Sequence, residues 1–375
     1  MSAGIRPGCR GCGAVELTRV LDLGKMPAAD DFPPLDAPFG TGEATHPLAM
    51  DLCPVCGLAQ LAEDDTVTAE PRGVEPRALR DQAAAALDGV AEAGWLSGAT
   101  AAEFGSPHGG SWLPLLESRG FTVTEGPADV VVDCFGIMHE PDQRAAFTAR
   151  AAATAADGAL LLQFHSLAAI VEQGQWNALR HGHFAYYSLH TLRRLLAAAG
   201  MRAAAAWEFS LYGGTVLVAA VHGPAELHSA PADPTLARIL AAESAVFGDD
   251  PETAAAAVRG LQRAADSQAS SLRAWLERET ASGHRVFAYG AASRAVALLH
   301  LAGVHQALLT AVADASPAKQ GRRMPGTDVP IIAPAELVAA QPDRVLLTLP
   351  DLLPEIRAQW PELEGRWVLN PTAQD

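Results

Sequence analysis

Thr100-Ala101-Ala102-Glu103-Phe104-Gly105, then Ser106-Pro107-His108-Gly109-Gly110, then Ser111 to Arg119: these three consecutive pieces read as a strand, a glycine turn and a helix. That order opens a nucleotide-binding α/β sheet, because the turn brings backbone rather than side chains to a ligand at the strand end. Working outward, apolar runs predict further strands at Thr122–Glu125, Val130–Phe135, Ala159–Phe164 and Thr215–Val221, with helices at 141–156 and 189–199. Upstream, Leu79, Ala83, Leu87 and Val90 recur at helical spacing within 77–94, after a polar, Pro-containing stretch from Asp64 to Pro76. Downstream, residues 232–282 read as a pair of helices rich in Ala, Leu and paired charges. A second Rossmann-like unit then begins with strand Arg285–Tyr289, turn Gly290-Ala291-Ala292-Ser293 and helix 294–302. Its further strands are expected at Leu308–Ala313, Val329–Ile332, Arg344–Thr348 and Trp367–Leu369.

The chain has 375 residues, of which 49% are hydrophobic, so two or three ordinary cores can be filled. A net charge of −16 argues against a nucleic-acid partner and against an anionic membrane surface, both of which are recognised through Lys and Arg. No apolar run reaches the roughly 18 residues that a membrane span needs, and the opening MSAGIRPGCRGCG lacks the apolar core of a signal peptide. A cytoplasmic protein with reduced thiols is expected.

Four of the five cysteines form two CxxC pairs, Cys9 with Cys12 and Cys53 with Cys56. Each such knuckle turns two thiolates toward one cation, and two knuckles complete a closed tetrahedral shell. The expectation is one structural zinc, in a module whose connecting stretch carries small strands of its own. Redox-type CxxC motifs would need a βαβ context that the Pro- and Gly-rich surroundings lack. Cys134, alone in an apolar run, reads as a small buried hydrophobe.

Three further stretches can carry chemistry. Glu103, Gly105, Ser106 and Gly109 stand where a cofactor loop should follow the first strand, and Glu125 stands where an acid ending the next strand should be. The run Arg180-His181-Gly182-His183-Phe184-Ala185-Tyr186-Tyr187-Ser188 is dense in ionisable and aromatic groups. Histidine suits general-base work near neutral pH, although a solvated loop with packed aromatics would look the same. The loop Asp314 to Thr327 brings Lys319, Arg322 and Arg323 beside the turn at Gly290, either as a phosphate holder or as a surface loop with incidental charge.

Taken together, these motifs resemble the zinc-containing sugar C-methyltransferases of antibiotic deoxysugar pathways over nearly the whole chain. The resemblance is carried by Cys9-x-x-Cys12, Leu21-Asp22-Leu23-Gly24, Pro27, His46-Pro47-Leu48 and Cys53-x-x-Cys56-Gly57-Leu58-Ala59-Gln60-Leu61 at the front. In the middle it is carried by His183-Phe184-x-Tyr186-Tyr187-Ser188 and Gly213-Gly214-Thr215. At the end it is carried by Tyr289-Gly290-Ala291, Asp314-x-Ser316-Pro317-x-Lys319-Gln320-Gly321-Arg322, Pro325-Gly326-Thr327 and Pro330-Ile331. The resemblance implies a zinc module over 1–70, a class I methyltransferase-like domain over 71–225, a helical connector over 226–282 and a C-terminal Rossmann-like domain over 283–375. It also implies S-adenosylmethionine as methyl donor and a nucleotide-linked keto-sugar as acceptor. His183 is then the base that forms an enolate, with His181 and Tyr186 beside it. Glu103, Gly105, Ser106, Gly109 and Glu125 would hold the cofactor, and Arg180, Tyr289, Gly290, Ser293, Lys319 and Arg322 the substrate.

The sequence departs from that family in two places. The family reads Tyr-His-Glu-His where this chain has Arg180, His181, Gly182 and His183, so the base loses its carboxylate neighbour. After Glu125 the chain passes through Gly126-Pro127-Ala128 straight to Asp129 and Val130, which omits the third strand at the edge of the sheet and its flanking helices. A relative that performs proton transfer or rearrangement without the cofactor, or one that only binds its ligand, therefore stands beside the methyltransferase reading.

Overall fold

The computed structural model describes residues 8–371 except 38, 41, 67–73, 107, 108, 226 and 228–231. Pro107 and His108 of the glycine turn, much of the linker after Asp64 and both chain termini thus lie outside the described residues.

The chain first forms β1 (Thr18–Pro27), β2 (Thr45–Leu52) and β3 (Ala59–Leu61), then α1 (Arg77–Glu92). The central unit adds β4 (Thr100–Phe104), α2 (Leu113–Glu117), β5 (Thr122–Val123), β6 (Ala128–Cys134), α3 (Gln143–Ala153), β7 (Thr154–His165) and α4 (Leu167–Glu172). It continues through β8 (Ala185–Tyr186), α5 (Leu189–Ala198), β9 (Met201–Phe209) and β10 (Thr215–His222). Six strands pair in the order β5-β4-β6-β7-β10-β9, with β10 antiparallel to both of its neighbours and the pairings among β5, β4, β6 and β7 parallel. The two-residue β5 ends the sheet, so among the described residues nothing stands in the place of a third edge strand. Val130, Val131 and Val132 are fully buried, as expected of a strand covered on both faces.

Helices α6 (Pro234–Phe247) and α7 (Pro251–Ala281) follow. Asp233 and Asp250 cap their N-termini with side-chain oxygens, and each helix has Pro in its first turn. At 31 residues, α7 serves two cores. Ala255, Val258, Leu261 and Ala265 join the core of the first units, and Ala269, Leu272, Trp275 and Leu276 join that of the last.

The C-terminal unit contains β11 (Val286–Tyr289), α8 (Ser293–Leu301), β12 (Val312–Ala313), β13 (Ile331–Ile332), α9 (Pro334–Ala340), β14 (Arg344–Leu347), α10 (Leu353–Gln359) and β15 (Trp367–Val368). Its five strands are all parallel, in the order β13-β12-β11-β14-β15. The expected mixture of a cysteine-rich module and two α/β sheets is therefore present.

Two local expectations need correction, and one strand lies where none was expected. The Ala-rich stretch Met201–Phe209 is a strand, because eight of its residues pair with β10, although it has neither alternation nor β-branched residues to announce it. The strand expected over 308–313 shrinks to Val312–Ala313, since Leu308 and Leu309 close a turn on His305 O. Cys134 is half-buried at the end of β6, where its Sγ bonds Gln163 Oε1 at 3.2 Å, rather than enclosed in a core.

Candidate functional site

The four cysteines of the two knuckles converge. Their sulfur atoms all lie within 4.8 Å of one another, with Cys9 Sγ 3.4 Å from Cys56 Sγ and Cys12 Sγ 3.6 Å from Cys53 Sγ. A zinc bound tetrahedrally to thiolates at about 2.3 Å needs sulfurs roughly 3.8 Å apart, so the cluster fits that ion. None of the four is in a disulfide. The hydrogen bonds among the sulfurs drive the Cys53 thiol toward the thiolate and hold the protons on Cys9 and Cys56. Gly57 adopts φ +80° behind the second knuckle, and a Cβ there would fall 2.9 Å from Thr191 Oγ1, which fixes how closely α5 approaches.

The zinc module does not end at its own last strand. Its sheet runs β1-β2-β3-β8, and β8 is Ala185–Tyr186, the strand that directly follows the histidine loop. Gly182 N–H donates to Asp64 at 2.7 Å, and the His181 ring meets Pro47 O at 3.2 Å, so the module grips that loop at three places. The connection between β1 and β2 reaches the other way. Phe32 is buried in the C-terminal core, Asp30 accepts from Ser293 Oγ, and Glu43 pairs with Arg323 at 2.7 Å.

Between the central and C-terminal sheets lies a cleft of about 280 Å³. Glu103, Ser106, Gly109, Arg180, His183, Tyr289, Gly290, Ser293 and Lys319, all anticipated from sequence, line it. A Cβ built on Gly105 or Gly109 would meet nothing within 4 Å, so the glycine loop leaves a cradle that backbone can offer to a ligand. The Glu103 carboxylate accepts from Ser111 Oγ at 2.5 Å and from Trp112 N–H at 2.7 Å, closing the loop onto the start of α2. Glu125 is exposed beyond the end of β5 and lies outside the cleft.

Asp133 shapes the inner wall. It is fully buried and takes bonds from Gly136 N–H, Ile137 N–H and Arg150 Nε at 2.7, 3.0 and 2.8 Å. Burial pushes its carboxyl up, and the Arg150 guanidinium with the two amides opposes that. The turn so held places Phe135, at φ +61°, and Met138 in the cleft.

His183 is buried, and its Nε2 accepts from Arg180 Nε at 2.7 Å. The His139 ring stands against it with centroids 4.4 Å apart, while His139 Nδ1 bonds Gly182 O at 2.9 Å. His181 and Tyr186 lie behind the cleft. The Tyr186 hydroxyl accepts from Arg180 N–H at 3.2 Å and donates to Ala178 O at 3.1 Å. Burial pushes the His181 imidazole down and the phenol of Tyr186 up. In the basic loop, Arg322 turns away to Phe32 O and Ala318 O, and Lys319 Nζ donates to Ala291 O at 2.9 Å.

Sequence reasoning passed over Arg294, His165 and Tyr212, which also line the cleft. Arg294 Nη2 lies 3.2 Å from a ring nitrogen of His165, and its guanidinium sits 5.6 Å from the Tyr212 ring centroid. Burial, then the charges of Arg294 and Arg180, hold the His165 imidazole well below its ordinary range, so it is neutral. The signals were present in Gly290-Ala291-Ala292-Ser293-Arg294 and Tyr212-Gly213-Gly214: a cation and a phenol beside glycine turns that face a sheet end.

Two family models match the chain. One, described as "C-methyltransferase C-terminal domain", covers residues 210–370, and the other, "Putative zinc binding domain", covers residues 9–70. C-methyltransferase NovU of Streptomyces niveus is 27% identical over 249 residues, which cover 63% of this chain and 55% of that protein. The matched region thus spans about half the length of that curated relative. Among solved structures, magnesium protoporphyrin IX methyltransferase (ChlM) from Synechocystis PCC 6803 with bound SAH overlays with a TM-score of 0.29 at 14% identity, covering 39% of this chain and 84% of that one. A Burkholderia thailandensis 1,6-didemethyltoxoflavin-N1-methyltransferase overlays at 0.26 with 13% identity, covering 44% of this chain and 96% of that one. Overlays of that quality say nothing of activity.

Proposed function

We propose that the chain, which matches a C-methyltransferase C-terminal domain and a putative zinc binding domain, methylates a carbon beside the keto group of a small molecule. A nucleotide-linked keto-sugar is the first candidate acceptor. The observation that carries this reading is the cleft itself, where an open glycine cradle on one wall faces a histidine–arginine pair and the start of α8 on the other. Gly105, Ser106 and Gly109 would hold S-adenosylmethionine, which would supply an electrophilic methyl group.

The protein's part is to make a carbanion equivalent. His183 takes a proton from the carbon next to the carbonyl, and cationic donors at the cleft floor hold the charge that develops on the keto oxygen. Arg180 bonded to Nε2 orients the ring and occupies the nitrogen that would take the proton, so that nitrogen is released when the guanidinium turns to a substrate oxygen. Tyr186, pinned to Ala178 O, holds the backbone from which Arg180 reaches. The missing glutamate at Gly182 is thereby exchanged for a movable cation.

The test is calorimetric titration with S-adenosylmethionine and S-adenosylhomocysteine, followed by methyl incorporation into keto-sugar nucleotides by wild type and His183→Ala. Cofactor binding that survives the substitution, with methyl incorporation abolished, is the expected result. Methyl transfer retained by His183→Ala removes that residue as the base. Solvent deuterium entering the acceptor without any cofactor binding would support proton-transfer chemistry instead.

A further inference from the structure

We infer that Arg294 and Arg180 form an anion subsite at the floor of the cleft, and that it takes a compact oxyanion, a carboxylate or a single phosphate, carried by the acceptor close to its reacting carbon. Nothing in the sequence pattern assigns Arg294 a role. The inference deepens the methyltransferase reading by naming the acceptor's charge.

The argument begins with cost. A guanidinium withdrawn from water is expensive unless a carboxylate or a set of acceptors compensates it. Arg294 is half-buried in the cleft wall, and among the described residues no carboxylate forms an ion pair with it; Asp351 acts on it only from a distance, and its side chain meets the His165 ring and the face of Tyr212. His165 is neutral and Tyr212 is held protonated by burial, so neither offsets the charge. Burial first, and the like charge of Arg180 second, lower the Arg294 guanidinium to about 10. An anion entering between the two guanidiniums would offset their mutual repulsion.

Position supports the same conclusion. Arg294 lies in the first turn of α8, whose Ala292 and Ser293 also line the cleft, so the positive end of the helix macrodipole adds to its field. Arg180 approaches from the central unit, so the two cations come from opposite walls. Asn177 Nδ2 bonds Arg294 O at 3.3 Å and joins the turn before Arg180 to the base of Arg294. In a protein of net charge −16, two cations beside the base candidate are not background. The cleft, about 280 Å³, sits at the low end of ligand pockets, which suits the reacting fragment of an acceptor better than a whole nucleotide. An oxyanion there would draw Arg180 from His183 Nε2, and the same two guanidiniums would favour the enolate that forms next to it.

The experiment is titration of the full-length, zinc-loaded protein with 2-oxobutanoate and, separately, with inorganic phosphate. Binding is followed by calorimetry and by the change in tryptophan fluorescence that a Trp112→Phe variant loses, since Trp112 lines the cleft. Saturable binding of one probe, weakened by about tenfold to a hundredfold in Arg294→Gln and less in Arg294→Lys, is expected, since a charge-assisted bond contributes on that scale. Which probe binds identifies the carboxylate or the phosphate source. If neither probe saturates, or if Arg294→Gln binds as tightly as wild type, the subsite is wrong. Should Arg294→Gln lose zinc or its melting transition, Arg180→Gln reads the same site and must show the same weakening. The cofactor titration is independent: anion binding without cofactor binding keeps the subsite and rejects methyl transfer, and the converse keeps methyl transfer and rejects the subsite.

Discussion

Asp133→Ala would strand Arg150 in the interior. The two side chains are 0% and 3% exposed, and they meet at 2.8 Å. Removing one partner of a buried pair leaves an uncompensated charge, at a cost of about 3–5 kcal/mol. Here the guanidinium keeps a second carboxylate, Glu140 at 3.2 Å, but that group is 45% exposed and compensates only partly. The substitution also removes the acceptor for Gly136 N–H and Ile137 N–H. A loss of about 4 kcal/mol is therefore expected, or roughly 8–16 °C in melting temperature for a unit of this size. The double variant Asp133→Ala/Arg150→Met removes the stranded charge and should recover about 2 kcal/mol or more. Thermal and urea unfolding followed by circular dichroism measure both. A single variant within about 1 kcal/mol of wild type, or a double variant no better than the single one, would refute the reasoning.

Metal analysis should find one zinc per chain in wild type and none in Cys53→Ser, and because β8 completes the module's sheet, the substitution should also weaken ligand binding in the cleft. Glu243 is buried, and burial raises its carboxyl from 4.5 to about 7 while it caps α5 through Leu189 N–H and His190 N–H. In that window the folded state holds the proton that the unfolded state has released. Stability should thus fall as pH rises from about 4.5 to 7, by at most about 3 kcal/mol, and a Glu243→Gln variant should flatten the slope of melting temperature against pH. Tyr186→Phe removes two bonds to backbone and should cost about 1–2 kcal/mol with a modest loss of turnover. Turnover abolished at unchanged stability would make the phenol a participant in the chemistry.

Much of this architecture was legible because its signals are local. Two CxxC knuckles predict their convergence from ligand number alone, and the strand–glycine–helix openings at Thr100 and Arg285 each start a sheet. The cleft residues near those turns, Ser106, Gly109, Gly290 and Ser293, followed from the same rule that ligands sit at the carboxyl ends of parallel strands. What escaped depends on contacts distant in sequence. Met201–Phe209 becomes a strand only because β10 offers it a partner, and its alanines carry no period. The basic loop looked like a phosphate holder, yet Arg322 and Arg323 reach back some 290 and 280 positions to Phe32 and Glu43. Arg294 went unremarked because one arginine in a helix is ordinary. Its surroundings of His165, Tyr212 and Arg180 come from three separate segments.

The fourth strand of the cysteine module is borrowed. Ala59 and Gln60 pair with Tyr186 and Ala185, more than a hundred residues further along the chain. Cutting the gene after the second knuckle would therefore yield a fragment with an open sheet edge and a truncated partner with its histidine loop unbraced. The two could be separated only by carrying residues 180–188 with the first piece. Inheritance of the front module and of the loop that faces the ligand is thus tied together, so shuffling one between relatives without the other should give chains that bind metal yet leave the cleft misassembled.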